Sequence, residues 1–144
     1  MVDRERALAY LAELRAALAD WDRYRGFVDR ARLENDRDTR NMVLHAMLVA
    51  IQAAIDLGEQ IIAERRFERP NSYRQTFEIL GWRGLLDPDL GAKLADLAAF
   101  RNVLVHVYWN LNLERVWTNF QDGRAPLDRF CSVVKGLLDP AGEG

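Results

Sequence analysis

The sequence predicts an all-α fold, an up-and-down bundle of about five helices. Apolar residues recur every three or four positions over most of the 144 residues, as on the buried face of an amphipathic helix. Helix caps and stop signals divide the chain into segments of helical length. Hydrophobic residues make up 49% of the chain and charged residues 29%, which is ordinary for a globular protein. We expect a single domain over residues 1–144.

The first helix is predicted from near Asp3 to Arg25, because Gly26 is a typical stop signal. Its apolar residues repeat at helical spacing and are Leu8, Leu11, Leu14, Leu18 and Trp21. A charged stretch, residues 29–40, follows this helix. Its composition predicts no definite structure.

The second helix is predicted from about Thr39 to Phe67, and Pro70 prevents its continuation. Its apolar residues form one broad stripe of Leu44, Met47, Leu48, Ile51, Ala54, Ile55, Ile61 and Ile62. Such a wide stripe places the helix at the centre of the bundle. Polar residues interrupt the apolar run at 42–57, so we do not expect it to span a membrane.

Two shorter helices are marked by their caps. The sequence Ser72 to Gln75 is a capping box that begins the third helix, and Gly81 ends it. Asp87 followed by Pro88 is an N-cap with proline at the first helical position. This fourth helix carries the apolar residues Leu90, Leu94 and Leu97.

A fifth helix is predicted from near Asn112 through Val134, with an interruption at residues 123–126. The segment Val103–Trp109 is rich in β-branched and aromatic residues, which also favour a strand. Because helical signals lie on both sides, we interpret it as helix or as a helix bend.

The net charge of −2 excludes a general basic field for nucleic-acid binding, so any RNA contact must be local. Two arginine clusters are candidates, although solvated helix ends are the simpler explanation of each. The first cluster consists of Arg23, Arg25, Arg30 and Arg32. The second consists of Arg65, Arg66 and Arg69.

Cysteine and histidine are too few for a disulfide or a zinc cluster. Cys131 is the single cysteine, which suits a reducing cytoplasm, and the N-terminal residues show no targeting signal. The two histidines, His45 and His106, are far apart and have no ligand spacing around them. We therefore expect a cytoplasmic protein that uses no metal and no cofactor.

The chemistry is concentrated in the segment 100–110, where Arg101, His106 and Tyr108 form an R-x4-H-x-Y motif among apolar residues. Histidine is a base near neutral pH and arginine is a permanent cation, the pair needed to break a phosphodiester without a metal. Arg101 continues the apolar stripe of the fourth helix. A cation there must be paired or must face a cleft.

The spacing within the motif sets a geometric condition. Asn102 and His106 share one helix face at i, i+4, whereas Arg101 and His106 are about 140° apart around a straight helix. Either the helix bends near residues 103–105, or the working site joins residues from two copies across a symmetric interface.

The second helix carries a narrow polar stripe of His45, Gln52, Asp56 and Glu59. The stripe is either the solvent side of that helix or a functional counterpart in which Asp56 orients Arg101 or His106. His45 alone is more simply explained as a structural residue.

These residues resemble the HepT-like ribonuclease toxins of the HEPN superfamily, whose genes neighbour a minimal nucleotidyltransferase (MNT) antitoxin. The motif and its flanks carry most of the resemblance, which covers roughly residues 41–120. The matching pieces are Arg101–Trp109, Leu111–Trp117, Ala50–Leu57, Ile61–Arg65 and Ser72–Leu80.

The resemblance implies a HEPN-like homodimer with a composite cleft at the two-fold axis and metal-independent cleavage of RNA. It assigns catalysis to Arg101, Asn102 and His106, while Asp56 remains the supporting candidate from the polar stripe. It implies that an MNT-type nucleotidyltransferase antitoxin transfers AMP to Tyr108. The alternatives are a non-catalytic partner that binds substrate for a nucleotidyltransferase, and a structural helical adaptor.

Overall fold

The computed structural model describes residues 4–105 and 111–139, and all regular structure in them is helical. The predicted all-α fold is therefore confirmed. In chain order the helices are α1 (Arg4–Arg25), α2 (Arg30–Asn35), α3 (Arg37–Arg65), α4 (Tyr73–Trp82), α5 (Pro88–Val105), α6 (Leu113–Asp122) and α7 (Arg124–Leu138).

The described residues contain seven helices, where the sequence predicts about five. The first difference is α2, a six-residue helix in the charged stretch that had no predicted structure. Asp29 caps it by accepting a hydrogen bond from the backbone of Arg32, and Leu33 is its one buried residue. A helix this short shows no apolar periodicity, so the sequence pattern does not predict it.

The second difference is that the predicted fifth helix is two helices, α6 and α7, which meet at Gly123. A Cβ atom on Gly123 would lie 2.8 Å from Leu97 Cδ2 and 2.7 Å from the carbonyl oxygen of Asn119. Only glycine therefore fits where the chain turns against α5. Of the interruption predicted at 123–126, only Gly123 breaks the helix, because residues 124–126 already belong to α7.

The long helix α3 is the core of the bundle and packs against α1, α2, α4, α5 and α7. By length and composition alone, α3 is apolar enough to cross a membrane. Most of its apolar window is buried by neighbouring helices in the described structure. We therefore interpret it as the central helix predicted from its broad stripe.

Buried aromatic residues connect the helices around α3. The indole Nε1 of Trp21 donates a 2.9 Å hydrogen bond to the carbonyl oxygen of Phe120, which joins α1 to α6. The rings of Phe77 and Phe130 pack edge to face with centroids 5.3 Å apart, which joins α4 to α7. Of the stripe predicted for α1, only Leu8 is exposed.

Gly58 sets the distance between α3 and α4. A Cβ atom at this position would lie 2.8 Å from Cγ2 of Thr76, whose side chain is fully buried. Because real Cβ contacts are longer, the two helices can approach this closely only at a glycine. This close approach brings the first turn of α4 next to the polar stripe of α3.

Helix α5 continues through Val103, Leu104 and Val105, so these residues of the ambiguous segment 103–109 are helical. Residues 106–109 lie outside the described residues. The apolar residues Leu90, Leu94, Leu97 and Leu104 are buried, as predicted.

Candidate functional site

Arg101 lies near the end of α5, half-buried, and three groups hold its guanidinium. Its Nε donates a 2.8 Å hydrogen bond to Oε1 of Gln52 on α3. Its Cζ lies 5.0 Å from the ring centroid of Tyr73 on α4. Its Nη1 contacts Oδ1 of Asn102 at 3.5 Å. Arg101 is thus fixed by two neighbouring helices.

No described carboxylate lies within 4.0 Å of the Arg101 guanidinium. A half-buried cation without a direct counter-ion attracts an anion more strongly than one already in an ion pair. The Nη atoms are not used by Gln52, so they remain able to donate to a bound anion such as a phosphate.

Asp56 acts on Arg101 through an intermediate residue. Its Oδ1 accepts a 3.0 Å hydrogen bond from Nε2 of Gln52, whose other amide atom accepts from Arg101. Only this orientation of the Gln52 amide satisfies a donor on one side and an acceptor on the other. The structure therefore forms a relay, Asp56–Gln52–Arg101, through which Asp56 can orient Arg101.

The polar stripe of α3 divides into parts with different surroundings. Gln52 and Asp56 belong to the relay, and Glu59 lies beside it. Partial burial, together with the nearby Asp56 carboxylate, raises the pKa of Glu59. His45 is exposed and makes no hydrogen bond or ion pair with another described residue.

Tyr73 is a site residue for which the sequence gives no local signal. It is the first residue of α4, and the Ser72 half of the predicted capping box is present, with Ser72 Oγ accepting from the backbone N–H of Gln75 at 3.0 Å. Gln75 Oε1 in turn accepts from the backbone N–H of Asn71. The cap fixes the start of the helix and so holds the Tyr73 ring against Arg101.

Arg101 and Asn102 open onto two different grooves. Arg101 lines a groove of about 260 Å³ whose other polar residues are Glu13, Gln52 and Asp56. Asn102 is exposed and lines a wider groove of about 430 Å³ between α3 and the start of α4. The other residues that line this second groove are Glu59, Pro70, Asn71, Ser72 and Tyr73.

His106 and Tyr108 lie outside the described residues, so their predicted roles stay predictions. His106 follows directly after Val105, the last residue of α5. Within the described part of the chain, no three His, Cys, Asp or Glu side chains come together as a metal site would require. The described groups offer a fixed guanidinium and amide groups, which suit a phosphate ester.

Comparison with known proteins identifies the family of this chain. The family model described as "Ribonuclease HepT-like" matches residues 14–134. The "mRNA nuclease HepT" of Shewanella oneidensis is 26% identical over 107 residues, which are 74% of this chain and 80% of that protein.

Solved structures agree with the fold. The structure of a tri-AMPylated HEPN toxin of Shewanella oneidensis in complex with MNT antitoxin is 24% identical and has a TM-score of 0.81, covering 94% of this chain and 99% of that one. YutE, a cytosolic protein of unknown function from Bacillus subtilis, is 20% identical with a TM-score of 0.83, covering 97% and 93%. At this identity the structures establish the all-α HEPN fold. Since the family model covers most of its length, the chain belongs to the HepT-like ribonuclease family.

Proposed function

We propose that this protein is a metal-independent endoribonuclease, the toxin of a toxin–antitoxin pair in the cytoplasm. The observation that carries the proposal is the guanidinium of Arg101, held by Gln52 and Tyr73 without a carboxylate partner among the described residues. Such a group is positioned to bind the phosphate of a scissile bond. Family membership and the relative named as an mRNA nuclease support this function.

In the proposed mechanism, His106 removes the proton from the ribose 2′-hydroxyl, and the 2′-oxygen attacks the adjacent phosphorus. The bond from phosphorus to the 5′-oxygen breaks, and the leaving oxygen takes up a proton, for which His106 is also the candidate. Arg101 stabilises the negative charge that develops on the phosphorane. The products are a 2′,3′-cyclic phosphate and a 5′-hydroxyl.

The remaining site residues have supporting roles in this proposal. Asn102 orients His106 or a phosphate oxygen from its exposed position on α5. Asp56 fixes the amide of Gln52 and thereby the direction of the Arg101 guanidinium. A homodimer brings Arg101 of one copy to His106 of the other, which removes the 140° separation expected on one straight helix.

Regulation is proposed to act on Tyr108. A cognate MNT-type nucleotidyltransferase transfers AMP from ATP to its phenolic oxygen, two residues beyond the proposed base, and releases pyrophosphate. The adduct adds negative charge and bulk where RNA phosphates must enter, so the modified toxin is inactive. The similar HEPN toxin that is tri-AMPylated in complex with MNT antitoxin supports this proposal.

The activity test uses purified, unmodified protein with a mixed RNA pool in the presence of EDTA. The controls are His106→Ala and Arg101→Lys, each matched to wild type by circular dichroism. We expect fragments ending in cyclic phosphate from wild type only, and no cleavage of an all-deoxy strand.

Cleavage of the all-deoxy strand would contradict attack by the 2′-hydroxyl. If wild type cuts no RNA, the alternative gains support. In that alternative the protein is a non-catalytic partner that binds substrate for a nucleotidyltransferase. Incubation with the cognate nucleotidyltransferase and ATP tests the modification. Wild type should gain the mass of AMP, and Tyr108→Phe should lose that site.

A further inference from the structure

The groove that contains Arg101 also contains a residue of α1 that the proposed mechanism does not use. Glu13 lines this groove together with Arg101, and its apolar lining is Leu48, Val49 and Ala53 of α3. Ala53 is buried, while Leu48 and Val49 stay partly exposed beside the site. At about 260 Å³ the groove is smaller than the roughly 300–1,000 Å³ pockets that bury drug-sized ligands, so it suits a single nucleobase.

Glu13 is held in place by the packing of α1. Its neighbour Leu14 is fully buried, and α1 packs against α3, the helix that carries Gln52 and Asp56. A side chain on a packed helix is positioned more precisely than one on a loop. Helix α1 therefore presents the Glu13 carboxylate to the same groove as the proposed phosphate-binding arginine.

The other polar groups of this groove are largely engaged. Both polar atoms of the Gln52 amide are used, one by Arg101 and the other by Asp56. The second of these contacts occupies Oδ1 of Asp56. Glu13 is exposed and makes no hydrogen bond or ion pair with another described residue. Its carboxylate is therefore free to accept hydrogen bonds from a ligand in the groove.

The charges in the groove determine how a nucleotide can lie in it. A phosphate is attracted by Arg101 and repelled by the carboxylates of Glu13 and Asp56. The part of the nucleotide next to Glu13 must be uncharged and must offer hydrogen-bond donors, since an ionised carboxylate only accepts. Leu48 and Val49 supply an apolar surface on which the flat face of a base can pack.

We infer that Glu13 recognises the base of a nucleotide next to the scissile phosphate and favours a base with an exocyclic amino group; this inference rests on the proposed function. Adenine, cytosine and guanine each carry such a group, which donates a hydrogen bond to the carboxylate. Uracil has none, and the carbonyl oxygens on both sides of its ring N–H would face the carboxylate. Glu13 is thus a specificity-determining residue outside the motif segment 100–110.

The first measurement determines which bonds of a random RNA pool are cut. Unmodified wild type and Glu13→Gln each cleave the pool in EDTA, and sequencing of the cyclic-phosphate ends gives the bases on both sides of each cut. We expect uracil to be depleted at one position next to the cut in wild type. Glu13→Gln should lose this depletion, since its amide can donate to a uracil carbonyl as well as accept from an amino group.

Two matched oligonucleotides then measure the size of the effect. Each contains one ribonucleotide in a deoxy strand, so that a single bond can be cut, and the two differ only by cytosine or uracil at the depleted position. We expect kcat/KM of wild type to be about five- to tenfold higher with cytosine. In Glu13→Gln this ratio should fall to about one.

The matched control is Glu5→Gln, which removes the same charge from another exposed glutamate of α1. Glu5 lines neither of the two grooves beside Arg101 and lies about 12 Å from Glu13 along the helix. The control should keep the wild-type preference for cytosine. Both variants should keep the melting temperature and the oligomeric mass of wild type.

An absence of uracil depletion in wild type would overturn this inference and leave the proposed function intact. So would a cytosine preference that survives in Glu13→Gln or is lost equally in Glu5→Gln. A changed oligomeric mass of Glu13→Gln would also overturn it, since Glu13 would then lie between copies of the chain. If wild type cuts no RNA in the pool, the inference and the proposed function fail together.

Discussion

Nε of Arg101 donates a 2.8 Å hydrogen bond to Oε1 of Gln52, although the two residues are 49 positions apart in the sequence. The contact connects the end of α5 to the middle of α3. Because the opposite end of the Gln52 amide is held by Asp56, the amide cannot follow a rotation of the guanidinium without breaking its own hydrogen bond. A long, flexible side chain is thereby preorganised as an anion receptor.

Replacing Gln52 should impair catalysis more than stability. Gln52→Met keeps the side-chain volume and removes both amide contacts, and hydrogen bonds to charged groups contribute about 1.5–3 kcal/mol. We expect kcat for RNA cleavage to fall about tenfold or more, with little change in melting temperature. Asp56→Asn retains an acceptor for Gln52 Nε2, so its kcat should stay within about threefold of wild type. An equal loss in Asp56→Asn would show that the carboxylate charge itself is needed.

The ring of Tyr73 should matter to Arg101, and its hydroxyl should not. Cation–π contacts at partly exposed sites contribute about 0.5–1 kcal/mol. Tyr73→Phe keeps the ring 5.0 Å from the guanidinium carbon and should keep kcat within about twofold. Tyr73→Leu should lower kcat about two- to fivefold in the same cleavage assay. If the phenylalanine and leucine variants are equally impaired, the cation–π interpretation is wrong.

Glu59 should make the fold less stable as pH rises. Partial burial and the Asp56 carboxylate raise its pKa, so the folded state disfavours the ionised form. The stability that Glu59 contributes is fully present below the pKa of a glutamate in the unfolded state. It is lost as pH rises through the pKa of Glu59 in the folded state. Glu59→Gln should therefore be more stable than wild type at neutral pH and lose that advantage in acid.

The free energy of unfolding in urea, measured at neutral pH and in acid, tests this prediction. Glu64→Gln, an exposed position further along α3, serves as the control for removing one charge from this helix. An advantage of Glu59→Gln that is the same at both pH values would contradict the assignment.

Trp21 should be far more important to stability than Trp82. Trp21→Phe removes buried ring atoms and leaves the Phe120 carbonyl without its 2.9 Å hydrogen bond. Cavity and hydrogen-bond losses of this kind cost about 2–4 kcal/mol. Trp82 is 67% exposed, so Trp82→Phe should change stability by about 0.5 kcal/mol or less. Chemical denaturation followed by circular dichroism compares the two; similar losses would contradict the packing described for α1 and α6.

The all-α fold follows from patterns that are local in the sequence. Ser72 before α4, the Asp87–Pro88 pair before α5 and the Gly123 interruption are each set by capping or backbone chemistry within a few residues. The short α2 also begins at a cap, Asp29, but its one buried residue, Leu33, cannot show an apolar period.

The candidate site depends on distances between helices, which local patterns do not contain. The position of Arg101 on an apolar stripe predicts that it needs a partner, but it does not identify Gln52 or Tyr73. Those two residues reach Arg101 because α3, α4 and α5 pack at one particular rotation and spacing. Asp56 is predicted as a supporting residue, and its action through Gln52 becomes visible only in three dimensions.

The close approach of α3 and α4 at Gly58 has an evolutionary consequence. Alanine at position 58 places its methyl group against Cγ2 of Thr76, and serine at position 76 removes that group while keeping the hydroxyl. The two positions therefore form an epistatic pair in which the order of change matters. A lineage that first replaces Thr76 by serine has an open route to alanine at 58. A lineage that changes Gly58 first displaces α4, and with it the Tyr73 ring that supports Arg101.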